Sequence, residues 1–145
     1  MIIDSKFPMT KELIFKTDLP FDSVIYDKDS DSWRFCFKSI DILTSGFWRI
    51  LKDGCIYSIS SDHGHQFGLS KPVDLESLLN TELVNRELKE LRIKECTGDL
   101  LLSLTDDCKI EIFISSTGYE TYEFSINNKR YIGLGSGEIG IYDEK

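Results

Sequence analysis

The stretch from Asp99 to Tyr142 constrains this chain most. Residues 100–104, 109–114, 122–126 and 131–134 are apolar-rich segments separated by short polar turns. Within them Ile110, Ile112 and Ile114 alternate with Lys109, Glu111 and Phe113. A period of two puts alternate side chains on opposite faces of an extended chain, so the stretch reads as consecutive β-strands. An earlier stretch, Trp33 to Gly64, is a looser copy. There Trp33, Phe35 and Phe37 alternate with Arg34, Cys36 and Lys38. Lys52-Asp53-Gly54 joins 47–51 to 55–60, and Asp-Gly is the strongest short hairpin signal.

The two stretches correspond. Gly46-Phe47 matches Gly118-Tyr119, Asp53-Gly54 falls near Asn127-Asn128, and 61–64 falls near 134–137. The correspondence predicts two antiparallel meanders packed with pseudo-two-fold symmetry around a shared aromatic core. Between them Asp74 is placed as an N-cap, with Leu75, Leu78 and Leu79 at helical spacing, ending near Asn80. The expected class is α+β, β-dominated, in a single domain over 1–145. It comprises an N-terminal extension (1–22), a first meander (23–68), a helix (73–80) and a second meander (87–142). Within the extension, 13–15 reads as a short strand or a helical turn ended by Pro20. A strand over 139–142 closes the pattern.

At 145 residues and 41% hydrophobic, the chain can build a real core. Its formal net charge of -8 disfavours nucleic acid and anionic membrane, because binders of phosphate backbones carry basic patches. An acidic chain is instead steered onto a basic partner. Cys36, Cys55, Cys96 and Cys108 show no Cys-x-x-Cys spacing, which removes zinc-ribbon and redox readings. Residues 1–8 lack the pattern of a signal peptide, and no apolar run approaches the roughly 20 residues of a membrane span. The cytoplasm is the expected compartment.

Motifs that resemble chemistry dissolve on inspection. Asp27, Asp29 and Asp31 open like a calcium loop. That loop needs Gly at its sixth position and Glu at its twelfth, where Ser32 and Lys38 stand. Residues 135–140 spell Gly-x-Gly-x-x-Gly, but a dinucleotide site needs a helix after it; a tight turn and a strand bulge explain the glycines. Asp62, His63 and His65 are weak metal candidates, since no third strong ligand stands at a fixed spacing from the two histidines. No nucleophile elbow and no catalytic cysteine signature occurs. No cofactor is expected and no catalytic residue is assigned.

One pairing is sharper. If 109–114 forms a hairpin with 119–126 through a turn near Thr117, Glu111 falls opposite or diagonal to Glu123. Both then point outward beside Phe113. This predicts an acidic patch with an aromatic centre, made of Glu111, Phe113, Tyr119, Glu120 and Glu123, that receives a basic partner.

At Trp48-Arg49-Ile50, Ser61-Asp62, Pro72-Val73-Asp74-Leu75 and Gly118-Tyr119-Glu120 the chain resembles a group of small bacterial β-rich proteins. Asp99-Leu100 and the glycines of 133–137 fit its pattern as well, with Tyr122 where the group often has Trp. The match covers about residues 32–142 and leaves the first thirty or so outside. Some relatives in the group resemble immunity proteins of polymorphic toxin systems. The resemblance implies a β-rich fold and bacterial origin, and transfers no catalytic residue. The expected function is non-enzymatic: an immunity-type protein that neutralises a basic toxin or effector by occluding it. Two alternatives are a small-molecule or metal-dependent enzyme built on Asp62, His63 and His65, and a homo-oligomerisation module in which strand 139–142 pairs with a second copy, giving a homodimer.

Overall fold

The computed structural model describes residues 5–8, by backbone alone, and 11–144. Of the N-terminal stretch, residues 1–4, 9 and 10 lie outside the described residues. Among the described residues, twelve strands and one α-helix follow in order. The first six strands are β1 (Ser5–Pro8), β2 (Leu13–Asp27), β3 (Ser32–Phe37), β4 (Ile40–Thr44), β5 (Phe47–Lys52) and β6 (Cys55–Ile59). Then come α1 (Leu75–Glu82), β7 (Glu87–Ile93), β8 (Leu100–Leu104) and β9 (Cys108–Phe113). Last are β10 (Tyr122–Ile126), β11 (Lys129–Gly133) and β12 (Glu138–Asp143).

All pairings are antiparallel, in the order β1-β12-β11-β10-β4-β3-β2-β7-β8-β9-β5-β6. β2 is the element that joins two layers. Its first part, Leu13 to Pro20, pairs with β7; from Phe21 onward it pairs with β3. Pro20 sits at the hand-over and does not end the strand, which corrects the expected break there. A proline lacks only its N–H. Its carbonyl accepts from Lys38 N (3.0 Å), and Phe21 N donates to Arg86 O (2.9 Å).

The second correction concerns 109–126. β9 lies between β8 and β5, whereas β10 lies between β11 and β4. The expected β9–β10 hairpin therefore does not form. Both sides of β9 are already occupied, and the eight residues between β9 and β10 are enough to carry the chain into the other layer. The β4–β5 connection crosses in the opposite sense at the same place. Thr44 Oγ1 donates to Thr121 O (2.8 Å), and Ser45 N donates to the same oxygen (3.1 Å).

The third correction is that β12 is no edge. It pairs with β11 on one side and β1 on the other, so the strand proposed for self-pairing is occupied. The helix runs to Glu82, past the expected stop at Asn80.

The core fills the space between the layers. Trp48 of β5 meets Trp33 (5.1 Å) and Phe35 (5.3 Å) of β3 edge-on, and Phe15 of β2 meets Tyr131 of β11 (5.1 Å). Such offset aromatic pairs contribute about 0.5–1.5 kcal/mol each beyond their burial. Helix α1 closes one side. Asp74 caps it by accepting Ser77 N (3.1 Å), and Leu75 and Leu79 are buried. Its outer turns protect a strand edge left open where β2 departs from β7. Asn80 accepts Val24 N (2.9 Å) and donates to Val24 O (2.8 Å), and Glu76 accepts Tyr26 N (2.8 Å). Two side chains thus supply the hydrogen bonds of an absent strand.

Candidate functional site

The sequence-predicted residues separate into two groups. Glu111 and Phe113 lie on the outer face of the β7 layer, with Ile110 and Ile112 buried beneath. Glu123 belongs to β10 in the other layer, opposite Leu43 and Ile132. The two glutamates do not face each other, and each has its own cation. Arg49 Nε donates to Glu111 (2.7 Å), and Arg130 Nε donates to Glu123 (2.7 Å). Register explains the first pair, since Arg49 stands directly opposite Glu111.

Phe113 has an aromatic neighbour that sequence reasoning missed. Phe47 of β5 faces it across the ladder with ring centroids 5.8 Å apart, and the Arg49 guanidinium lies 5.5 Å from the Phe113 ring centre. The alternation in 47–51 carries the signal for Phe47, but only the β5–β9 pairing brings the two rings together.

Tyr119 and Glu120 sit on the connection from β9 to β10. Tyr119 is 81% exposed, the most exposed large hydrophobic residue among those described. The loop carrying it is braced. Ser116 Oγ accepts from Gly118 N (3.0 Å) and Tyr119 N (2.9 Å), and Ser136 N donates to Ser116 O (3.1 Å). Gly135 packs so tightly under the loop that a Cβ there would lie 2.3 Å from the Thr117 carbonyl carbon. The bracing lowers the backbone entropy that this loop would lose on binding and leaves the ordering of the Tyr119 side chain as the remaining cost.

Neighbouring loops add negative charge. Ser30 and Ser32, beside the β2–β3 turn, line one shallow depression with Glu120 and Thr121. That turn carries Asp27, Asp29 and Asp31 against Lys28. Asp29 N donates to Asp27 (2.9 Å), which holds the Asp27 carboxyl below the usual range and keeps it charged. The Tyr26 hydroxyl donates to Asp31 (2.8 Å), and that bond pushes the phenol up. The β7–β8 turn adds Glu95 and Asp99 against Lys94. Acid also collects where Asp53 N meets Asp107 O (3.0 Å), but there Lys52 and Arg86 are interleaved with it.

Asp62, His63 and His65 do not converge. The chain turns at Gly64, whose N–H donates to Val73 O (2.8 Å). His63 turns inward, its ring centroid 4.6 Å from that of Tyr26 and 5.0 Å from that of Trp33, and its Nδ1 accepts the first helical N–H, Leu75 (3.0 Å). His65 points elsewhere and stacks on Phe67 (5.5 Å). Among the described residues no three His, Cys, Asp or Glu side chains gather to hold a metal. None of the described helices is long and apolar enough to cross a membrane.

The chain shows no significant match to a protein-family model, to a curated protein or to a solved structure.

Proposed function

We propose that the protein is a non-enzymatic binding module of immunity type, which occludes a basic toxin or effector with its acidic loop end. The observation that carries this reading is Tyr119: an exposed aromatic on a braced loop, next to Glu120, which shares a depression with Ser30 and Ser32 of the aspartate-bearing β2–β3 segment. Negative charge would steer the partner, and the aromatic would be buried on docking. The overall charge of -8 and the resemblance to bacterial immunity-like proteins lean the same way. Glu111 and Glu123, each ion-paired, contribute less than the sequence alone suggests.

The experiment is a pull-down from source-cell lysate at low and high salt, with the wild type and with a Tyr119→Ala/Glu120→Lys variant. A basic protein captured by the wild type at low salt, and lost both in high salt and in the variant, is the expected result. Capture that the variant retains contradicts the reading.

A duplicated origin also fits the architecture. Exchanging β2 to β6 with β7 to β11 turns β2·β3, β3·β4, β5·β6 and β4·β10 into β7·β8, β8·β9, β10·β11 and β9·β5, and leaves β2·β7 unchanged. We read the two halves as copies, with β1, α1 and β12 as later differences.

A further inference from the structure

Carboxylates on the outer face of the β7 layer are matched by cations. Glu12 has Arg92 (2.8 Å), Glu90 has Lys16 and Arg92, and Glu111 has Arg49. Asp99 has none among the described residues. It directly precedes β8 and is half-buried, and one of its oxygens accepts Ile114 N (2.7 Å). Because Leu100 and Leu102 face the core, Asp99 lies on the outer side with Phe113.

The depression beside this carboxylate is concave, and its lining carries no positive charge. Asp99, Phe113, Ser115, Thr117 and Ser136 line a depression of about 560 Å³, whose remaining lining contains no Lys, Arg or His. A carboxylate accepts more than one hydrogen bond, so the Ile114 N–H leaves acceptor capacity unused. The hydroxyls around it add further acceptors. The Arg49 guanidinium, paired with Glu111, lies 5.5 Å from the Phe113 ring centre, so the ring already makes one cation–π contact, from a residue outside the lining of the depression.

We infer that this depression is the receptor for one cationic side chain of the basic partner, an arginine. Asp99 is its ion-pair acceptor, Phe113 its stacking surface, and Ser115, Thr117 and Ser136 its hydroxyl acceptors. A guanidinium spreads several donors in one plane across such a set, whereas a lysine ammonium presents a single point charge. The inference rests on the reading of the acidic loop end as the docking surface.

The test uses the full chain and a defined probe, acetyl-Gly-Arg-Gly-amide, against the same peptide with citrulline in place of arginine. Backbone amide shifts are followed during titration. Saturable shifts confined to residues 97–99, 113–117 and 136 are expected, with binding about tenfold weaker or more for citrulline and for Asp99→Asn. Asn keeps an acceptor for Ile114 N–H, so this variant removes the charge without removing the bond that orders the turn. Absence of saturable shifts there, or an equal response from citrulline or from Asp99→Asn, overturns the inference. The pull-down separates the two proposals. A basic partner held equally by wild type and Asp99→Asn, but lost with Tyr119→Ala/Glu120→Lys, refutes the arginine receptor alone. The converse pattern refutes the Tyr119 reading alone.

Discussion

Single side chains carry the junctions between layers. Thr44 is 1% exposed, donates to Thr121 O and accepts Gly46 N (2.9 Å). Thr44→Val keeps the shape but leaves Gly46 N unpaired and Thr121 O with Ser45 N alone, and the expected loss is about 1–3 kcal/mol by urea unfolding. Two residues away, a Cβ on Gly46 would lie 2.3 Å from Thr121 Cγ2, so Gly46→Ala is expected to cost about 1–3 kcal/mol through overpacking. Ser58 behaves oppositely. Its Oγ is buried without a hydrogen-bond partner among the described residues, and Ser58→Ala is expected to leave stability equal or higher in the same assay. Glu90 sets a pH dependence. Lys16 chiefly, then Arg92, hold its carboxyl below the usual range, against burial, which raises it. A depressed carboxyl stabilises the fold fully above the ordinary glutamate value of about 4.3 and loses that contribution as pH falls through the lowered value. Glu90→Gln is expected to flatten the stability profile in that acid range, which unfolding at a series of pH values measures.

Among elements, the helix shows what is legible in sequence and what is not. Its start at Asp74 and its buried Leu75 and Leu79 follow from capping and spacing, whereas Leu78, expected on the same face, is exposed. Its purpose does not follow from them, because Asn80 and Glu76 act on Val24 and Tyr26, more than fifty positions away in the chain for Val24 and fifty for Tyr26. Asn80→Ala is expected to cost about 1–3 kcal/mol and to speed amide exchange at Val24, whose protector it removes. The strands divide in the same way. Period-two patterning and the turns at Asp53-Gly54 and Asn127-Asn128 locate β5, β6, β10 and β11 closely. Pairing between distant strands is invisible to local pattern, which is why β9 was expected beside β10 and Glu111 beside Glu123. A short turn near Thr117 was the assumption that failed. The chain there serves as a bridge between layers, and the structure uses its length to display Tyr119. Phe47 and Asp99 escaped sequence reasoning for the same reason, since each gains its role only from the neighbour that long-range register supplies.

At the scale of the molecule, charge is arranged differently on the ends and on the faces. The faces of the layers are balanced by ion pairs, and such partly exposed pairs add only about 0–1 kcal/mol each. On the proposed reading, the carboxylates of the loops around Tyr119 act at a distance and are screened by salt. If the loop end docks a basic partner as proposed, association is expected to be fast at low ionic strength, with a rate that falls steeply as salt is added and a dissociation rate that changes little. Stopped-flow mixing at several salt concentrations measures both. The hydrogen-exchange footprint of the complex with the captured partner decides whether the loop end is the docking surface. Protection of residues 115–121 is expected, with 27–32 and 94–99 around them. Protection centred on the Asp53 and Asp107 turns, or on α1, with 115–121 unchanged, would contradict it.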